Sequence, residues 1–133
     1  MNRKDYEIMA PVGSYESLMA AINAGADSIY FGIEGLNMRS KSANNFTTED
    51  LHKIAAICRE HDVKSYLTVN TIIYDEDLAL MREIIDSAKD ADVSAIIAAD
   101  VAPMLYARSI GVEVHLSTQL NITNVEALRF YAQ

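Results

Sequence analysis

Five short apolar runs, each followed by an amphipathic stretch, constrain this chain more than any other feature. Residues 6–10, 28–32, 64–70, 94–99 and 112–117 read as strands. Each is apolar on both parities or nearly so, as expected of parallel strands covered on one face by helices and filled on the other. The stretches between them repeat apolar residues at helical spacing. Leu18, Ala21 and Ile22 make one stripe, with Ser14 as N-cap and Gly25 where the helix should stop. Leu51, Ile54, Ala55 and Cys58 make a second, after a capping Thr47. Leu78, Met81, Ile85 and Ala88 make a third, in a helix expected to begin near Asp75. A fourth helix follows Asp100, with Pro103 tolerated in its first turn. A fifth opens on Thr123, Asn124, Val125 and Glu126, a capping-box pattern.

Strand–helix–strand repeated in this way means an α/β fold with parallel pairing and right-handed crossovers. Two layouts satisfy it: an open doubly wound sheet and part of a closed barrel. Periodicity does not separate them. A chain of 133 residues suits one domain, spanning 1–133. The longest irregular stretch, residues 33–46, follows the second strand. It therefore lies at the C-terminal side of the sheet, where parallel α/β proteins place their sites. The sequence stops barely two turns into its fifth helix, so it is expected to be a piece of a longer protein.

Half of the residues are hydrophobic, 23% are charged and the net charge is −8. An acidic surface repels phosphate backbones, which argues against tight nucleic-acid binding by this chain alone. The single cysteine, Cys58, rules out an internal disulfide, a zinc knuckle or a four-thiolate cluster within the chain. It is expected to be a reduced, buried thiol. No cofactor or metal site is expected in these residues. No apolar run approaches the ~20 residues needed to span a bilayer. The N-terminus carries no apolar signal region. The expectation is a cytoplasmic protein without membrane contact.

Strand parity points to the candidate site. On the fifth strand Val112, Val114 and Leu116 suit packing on helices, and His115, Ser117 and Gln119 take the other side. On the third strand Tyr66, Thr68 and Asn70 oppose Leu67 and Val69. The second strand presents Tyr30 and the fourth ends at Asp100. Loop residues Asn37, Arg39, Asn45 and Asn121 complete a polar lining at the strand C-termini. An arginine in a long loop suits a carboxylate or phosphate on a ligand, although a surface ion pair is its ordinary use.

Asp100, His115 and Ser117 are the candidates for catalysis, and the first two have plain structural alternatives. Asp100 suits a helix N-cap, and His115 a packed or solvated histidine. A Ser117–His115–Asp100 triad meets a geometric objection. Residues two apart on a strand lie ~6–7 Å apart at Cα and project in parallel, beyond direct hydrogen-bond reach for a serine and its base. HExxH, P-loop and GxGxxG patterns are absent.

Several segments carry a resemblance. Ala10-Pro11-Val12-Gly13-Ser14 and Ala24-Gly25-Ala26-Asp27 come first. Tyr30-Phe31-Gly32, Asn37-Met38-Arg39 and Asn45-Phe46 follow, then Thr68-Val69-Asn70-Thr71 and Ser117-Thr118-Gln119-Leu120-Asn121. In that order and spacing they resemble the collagenase-like peptidase family U32, over essentially the whole chain. The resemblance implies a partial TIM-like barrel of about five (β/α) units at the N-terminus of a longer protein. It implies a peptidase acting on peptides. Its alternative is an oxygen-independent hydroxylase acting on RNA or a quinone precursor, with an iron–sulfur cluster held by downstream cysteines. A binding or assembly module without chemistry is a third reading. The isolated chain is expected to be inactive. It is also expected to pair with a second copy through the open barrel side, where Ile8, Ile96 and Ala98 are placed on an uncovered inner face.

Overall fold

A computed structural model describes residues 1–36 and 45–133. Five parallel strands form one sheet in the order β1-β2-β3-β4-β5: β1 Met9–Pro11, β2 Ser28–Phe31, β3 Lys64–Val69, β4 Ala95–Ala98 and β5 Val114–Leu116. Helices α1 Tyr15–Asn23, α2 Thr48–Glu60, α3 Leu78–Asp90, α4 Val101–Ser109 and α5 Val125–Tyr131 alternate with them. The sequential order decides between the two layouts left open by periodicity. A doubly wound sheet would reverse its order at a switch point. This sheet runs in one direction as a (β/α) barrel does, and it is not closed.

The local chemistry explains most boundaries. Ser14 and Thr47 cap α1 and α2 by accepting from the backbone N–H of Ser17 and Asp50. Gly25, at φ 88°, lets the chain leave α1 through the left-handed region. Two helix starts differ from expectation. Residues Asp75–Asp77 form a 3₁₀ turn, and α3 proper begins at Leu78. At α5 the cap is Asn124, whose Oδ1 accepts from Ala127 N at 2.8 Å. Thr123 thus lies outside the helix, and Glu126 pairs with Arg129 at 2.7 Å in place of closing a capping box.

The core lies between sheet and helices. Ile29, Phe31, Leu67, Val69, Ile96 and Ala98 face Leu18, Leu51, Ile54, Cys58, Met81, Ile85 and Ala107, all essentially inaccessible. Burial raises the Cys58 thiol from 9.0 to about 11, consistent with an inert buried cysteine.

The inner-face assignment of Ile96 and Ala98 is therefore corrected. The register places Ile96 beside Leu67 and Ala98 beside Val69, on the helix side. Two adjacent isoleucines, Ile96 and Ile97, left the parity of β4 undetermined until its neighbours fixed it. The helix-free face instead carries Tyr30, Tyr66, Thr68, Ala95, Ile97 and His115. Ile8 precedes β1 and is half exposed. The inner face is thus more polar than the sequence suggested, and the apolar drive for pairing through it is weak.

Candidate functional site

The strand C-termini lie along one edge because all five strands run in the same direction. Tyr30 is the penultimate residue of β2, half-buried opposite Tyr66. Asn70 follows β3 directly, and Asn45 precedes Phe46. Both are half-buried and engaged with the rest of the protein. Phe46 is held edge-on by Phe31 at 6.0 Å and Tyr15 at 5.7 Å. The bridge Ile33↔Phe46, with Glu34 N donating to Phe46 O at 2.8 Å, pins the base of the long loop. Asn37 and Arg39 lie outside the described residues.

Asp100, Ser117 and Asn121 are occupied in turning the chain. Asp100 caps α4: Oδ1 accepts from Ala102 N and Oδ2 from Ile73 N, each at 3.1 Å. One carboxylate thus starts a helix and ties the loop after β3 to β4. Ser117 N donates to Ala98 O at 2.8 Å. Its Oγ accepts from Gln119 N at 3.2 Å, starting the 3₁₀ turn Thr118–Leu120. Asn121 ends that turn at φ 50°, a conformation asparagine tolerates, and its Nδ2 donates to Gln119 O at 3.1 Å. Gln119 itself is exposed, and its side-chain amide meets no hydrogen-bond partner among the described residues. Beside Asn70, the Thr71 hydroxyl is buried without a partner among the described residues, an unmet demand of the sort that functional edges often carry.

His115 lies lower, within β5. Its Nε2 meets Glu113 Oε1 at 2.8 Å, and its ring leans on Tyr66 with centroids 4.7 Å apart. Asp100, His115 and Ser117 thus each have partners other than one another, so these contacts assemble no triad. The long Glu113 side chain, two residues back, does reach the His115 ring, whereas the short Ser117 side chain serves its own turn.

A second polar group lies on the same face, nearer the N-terminal ends of the strands. Tyr66, 3% exposed, donates its phenol to Glu7 Oε1. Lys64 Nζ approaches Glu7 Oε2 at 3.6 Å. The Tyr66 hydrogen bond, helped by Lys64, holds the Glu7 carboxyl below its usual range. Burial, reinforced by Glu7, pushes the Tyr66 phenol upward. Ser28, fully buried beside them, favours the ionised Glu7 without forming a close hydrogen bond. Arg3 extends the group: its guanidinium meets Asp27 Oδ2 at 2.9 Å, and the same oxygen accepts from Ile8 N at 2.7 Å. The N-terminal segment is thereby fastened across the lower inner face. Tyr66 was assigned the right parity from sequence. Glu7, 59 residues away, was read as part of the first strand, but β1 begins only at Met9, and nothing in the sequence marked Glu7 as the partner.

Among the described residues no group of three His, Cys, Asp or Glu is placed to hold a metal. Cys58, the sole cysteine, is sealed beneath the sheet, so the chain's own residues do not fit an iron–sulfur cluster. No helix among the described residues is long and apolar enough to cross a membrane.

Comparison with known proteins places this geometry in a family. The chain is 77% identical over all 133 residues to a collagenase of Porphyromonas gingivalis strain W83, of which it covers 32%. It is 33% identical over 98% of its length to tRNA hydroxylation protein P1 of Bacillus subtilis, covering 31% of that protein. The chain thus spans about a third of the length of these curated relatives. The solved structure of a U32 peptidase superposes on 83% of the chain and 47% of its own length, with a TM-score of 0.63 at 11% identity, a likeness of fold. Peptidase family U32 matches residues 13–133, and the chain belongs to that family.

Proposed function

We propose that these residues form the first part of the substrate-binding face of a collagenase-like peptidase whose remaining barrel and chemistry lie in a longer protein. The observation that carries this reading is 77% identity, without interruption in coverage, to a protein named collagenase. The geometry agrees with it in kind. The strand C-termini present amide and hydroxyl groups, with the exposed Gln119 side chain free to meet a peptide backbone. The candidate catalytic trio of Asp100, His115 and Ser117 is redistributed on this reading. Asp100 and Ser117 shape the edge, and His115 is the one titratable side chain of the three that remains available from the open face. Sites in barrels draw residues from many strand ends, so the 133 residues alone bind and do not cleave. A reduced, buried Cys58 suits a cytoplasmic setting.

The tRNA hydroxylation relative supports one second reading, an oxygen-independent hydroxylase of RNA or a quinone precursor. Any cluster it used would need cysteines beyond this chain. One experiment separates the two. The longer protein, purified without air, is tested for gelatin hydrolysis and for bound iron and sulfide. Hydrolysis that survives exposure to air, with no stoichiometric iron, is the expected result. Absent hydrolysis together with bound iron and sulfide would replace the peptidase with the hydroxylase.

A further inference from the structure

Among the described residues two tyrosine–aspartate ties join neighbouring helices. The Tyr15 phenol donates to Asp50 Oδ1 at 2.6 Å and links α1 to α2. The Tyr106 phenol donates to Asp86 Oδ1 at 2.6 Å and links α4 to α3. Each helix follows the C-terminal end of its strand and runs back along the sheet. Tyr15 opens α1 and Asp50 lies in the first turn of α2, so the first tie stands at the strand C-terminal edge. Tyr106 and Asp86 lie in the C-terminal halves of their helices, so the second stands towards the other end.

The first tie also reaches the long loop after β2. The Tyr15 ring meets Phe46 edge-on, with centroids 5.7 Å apart. Asp50 Oδ2 accepts from Thr47 N at 2.8 Å and from Thr47 Oγ1 at 3.1 Å. One tyrosine thus bears on two consecutive residues, Phe46 through its ring and Thr47 through Asp50. The outgoing limb, residues 33–36, is set against α3. A Cβ at Gly35 would come within 3.2 Å of Ile84 Cδ1, and its φ of 118° is one that glycine adopts readily and other residues do not. Glu34 N, donating to Phe46 O, joins the outgoing limb to the returning one. The Thr47 N–H, joined by the Tyr15 phenol, holds the Asp50 carboxyl below its usual range. Burial, reinforced by Asp50, raises the Tyr15 phenol from 10.0 to about 12. Donor and acceptor therefore keep these states throughout the neutral range. Tyr15 itself is 37% exposed and stands outside the core, so its contacts serve the base of the loop more than the packing of the sheet.

We propose that Tyr15 is a positioning residue for substrate at the strand C-terminal edge, acting through Phe46 and Asp50 on the stance of the loop after β2. The proposal rests on the reading of that edge as the substrate-binding face. Barrels bind through loops mounted on a rigid scaffold, and a displaced mount shifts every group the loop presents. Asn45, directly before Phe46, is one such group at this edge.

Kinetics of gelatin hydrolysis by the longer protein test this, with Tyr106 as the matched control. Tyr15→Ala should raise KM about fivefold and leave kcat within about twofold below the melting range of the variant. Tyr15→Phe keeps the ring on Phe46 and loses the tie to Asp50, and should fall between Tyr15→Ala and wild type. Tyr106→Ala removes the same kind of tie from a half-buried position and should lower Tm at least as far, yet leave KM within about twofold. A KM unmoved by Tyr15→Ala, or raised equally by Tyr106→Ala, would overturn the inference while the peptidase reading stands. A wild-type protein that hydrolyses no gelatin would overturn that reading, and this inference with it.

Discussion

Tyr66, in the middle of β3 with its hydroxyl turned to Glu7 before β1, and Gln119, beyond the end of β5, are held in opposite ways. Tyr66 is nearly inaccessible, its hydroxyl bonded to Glu7 and its ring against His115, and Lys64 approaches the other oxygen of Glu7. Gln119 is exposed, with only its backbone engaged. Around it, Asp100, Ser117 and Asn121 spend their polar atoms on shaping turns. The lower end therefore works as a fastening, in which charged groups tie the N-terminal segment to β3. The upper end works as a mount, in which backbone geometry is fixed while the Gln119 side chain stays free. In barrels the first arrangement belongs to stability and the second to function.

The largest effect that sharpens this contrast is at Tyr66. Tyr66→Phe removes a hydrogen bond to a carboxylate and should cost about 2 kcal/mol of unfolding free energy, read by urea denaturation. Glu7→Gln should cost less, and the double variant should cost little more than Tyr66→Phe, since both remove one contact. The contact also has a pH signature. Glu7 titrates below its ordinary 4.5 when folded, so its contribution is present above that value and is lost as pH falls through the depressed one. The gap between wild type and Tyr66→Phe should accordingly narrow in acid. Cys58 acts in the other direction: its thiol, raised from 9.0 to about 11, is neutral in the fold, and that stability drains as pH rises between those values.

A smaller effect is expected at Asp100. Asp100→Ala deprives α4 of its cap and Ile73 of an acceptor, for about 1 kcal/mol, and Asp100→Asn should retain part of it. Were Asp100 a catalytic acid instead, the asparagine variant of the longer protein would lose its activity while keeping its stability.

Much of this was legible in the sequence because the repeat is regular. Alternating apolar runs and capped helices at Ser14 and Thr47 gave the element order, and the parity of β3 gave the inner position of Tyr66. Where two apolar residues stood side by side, as at Ile96 and Ile97, parity carried no information, and only the register with Leu67 and Thr68 assigned their faces. Asp100 read equally as a catalytic candidate and as a cap, since an oxygen at a strand end suits both. Its backbone partners, at Ala102 and Ile73, distinguish the uses. Glu7 was illegible because its role depends on a contact distant in sequence, which no local pattern encodes.

The division of labour between the two ends is tested most directly by pairing one variant from each in the longer protein. Gelatin hydrolysis and thermal melting would be measured for Gln119→Ala and Tyr66→Phe, with Arg39→Ala beside the first. The account predicts that Gln119→Ala and Arg39→Ala lower kcat/KM about tenfold at unchanged Tm, whereas Tyr66→Phe lowers Tm and leaves kcat/KM within about twofold below its melting range. The reverse pattern, activity lost at Tyr66 without a change in Tm and retained at Gln119 and Arg39, would contradict it and move the active site to the lower end of the sheet.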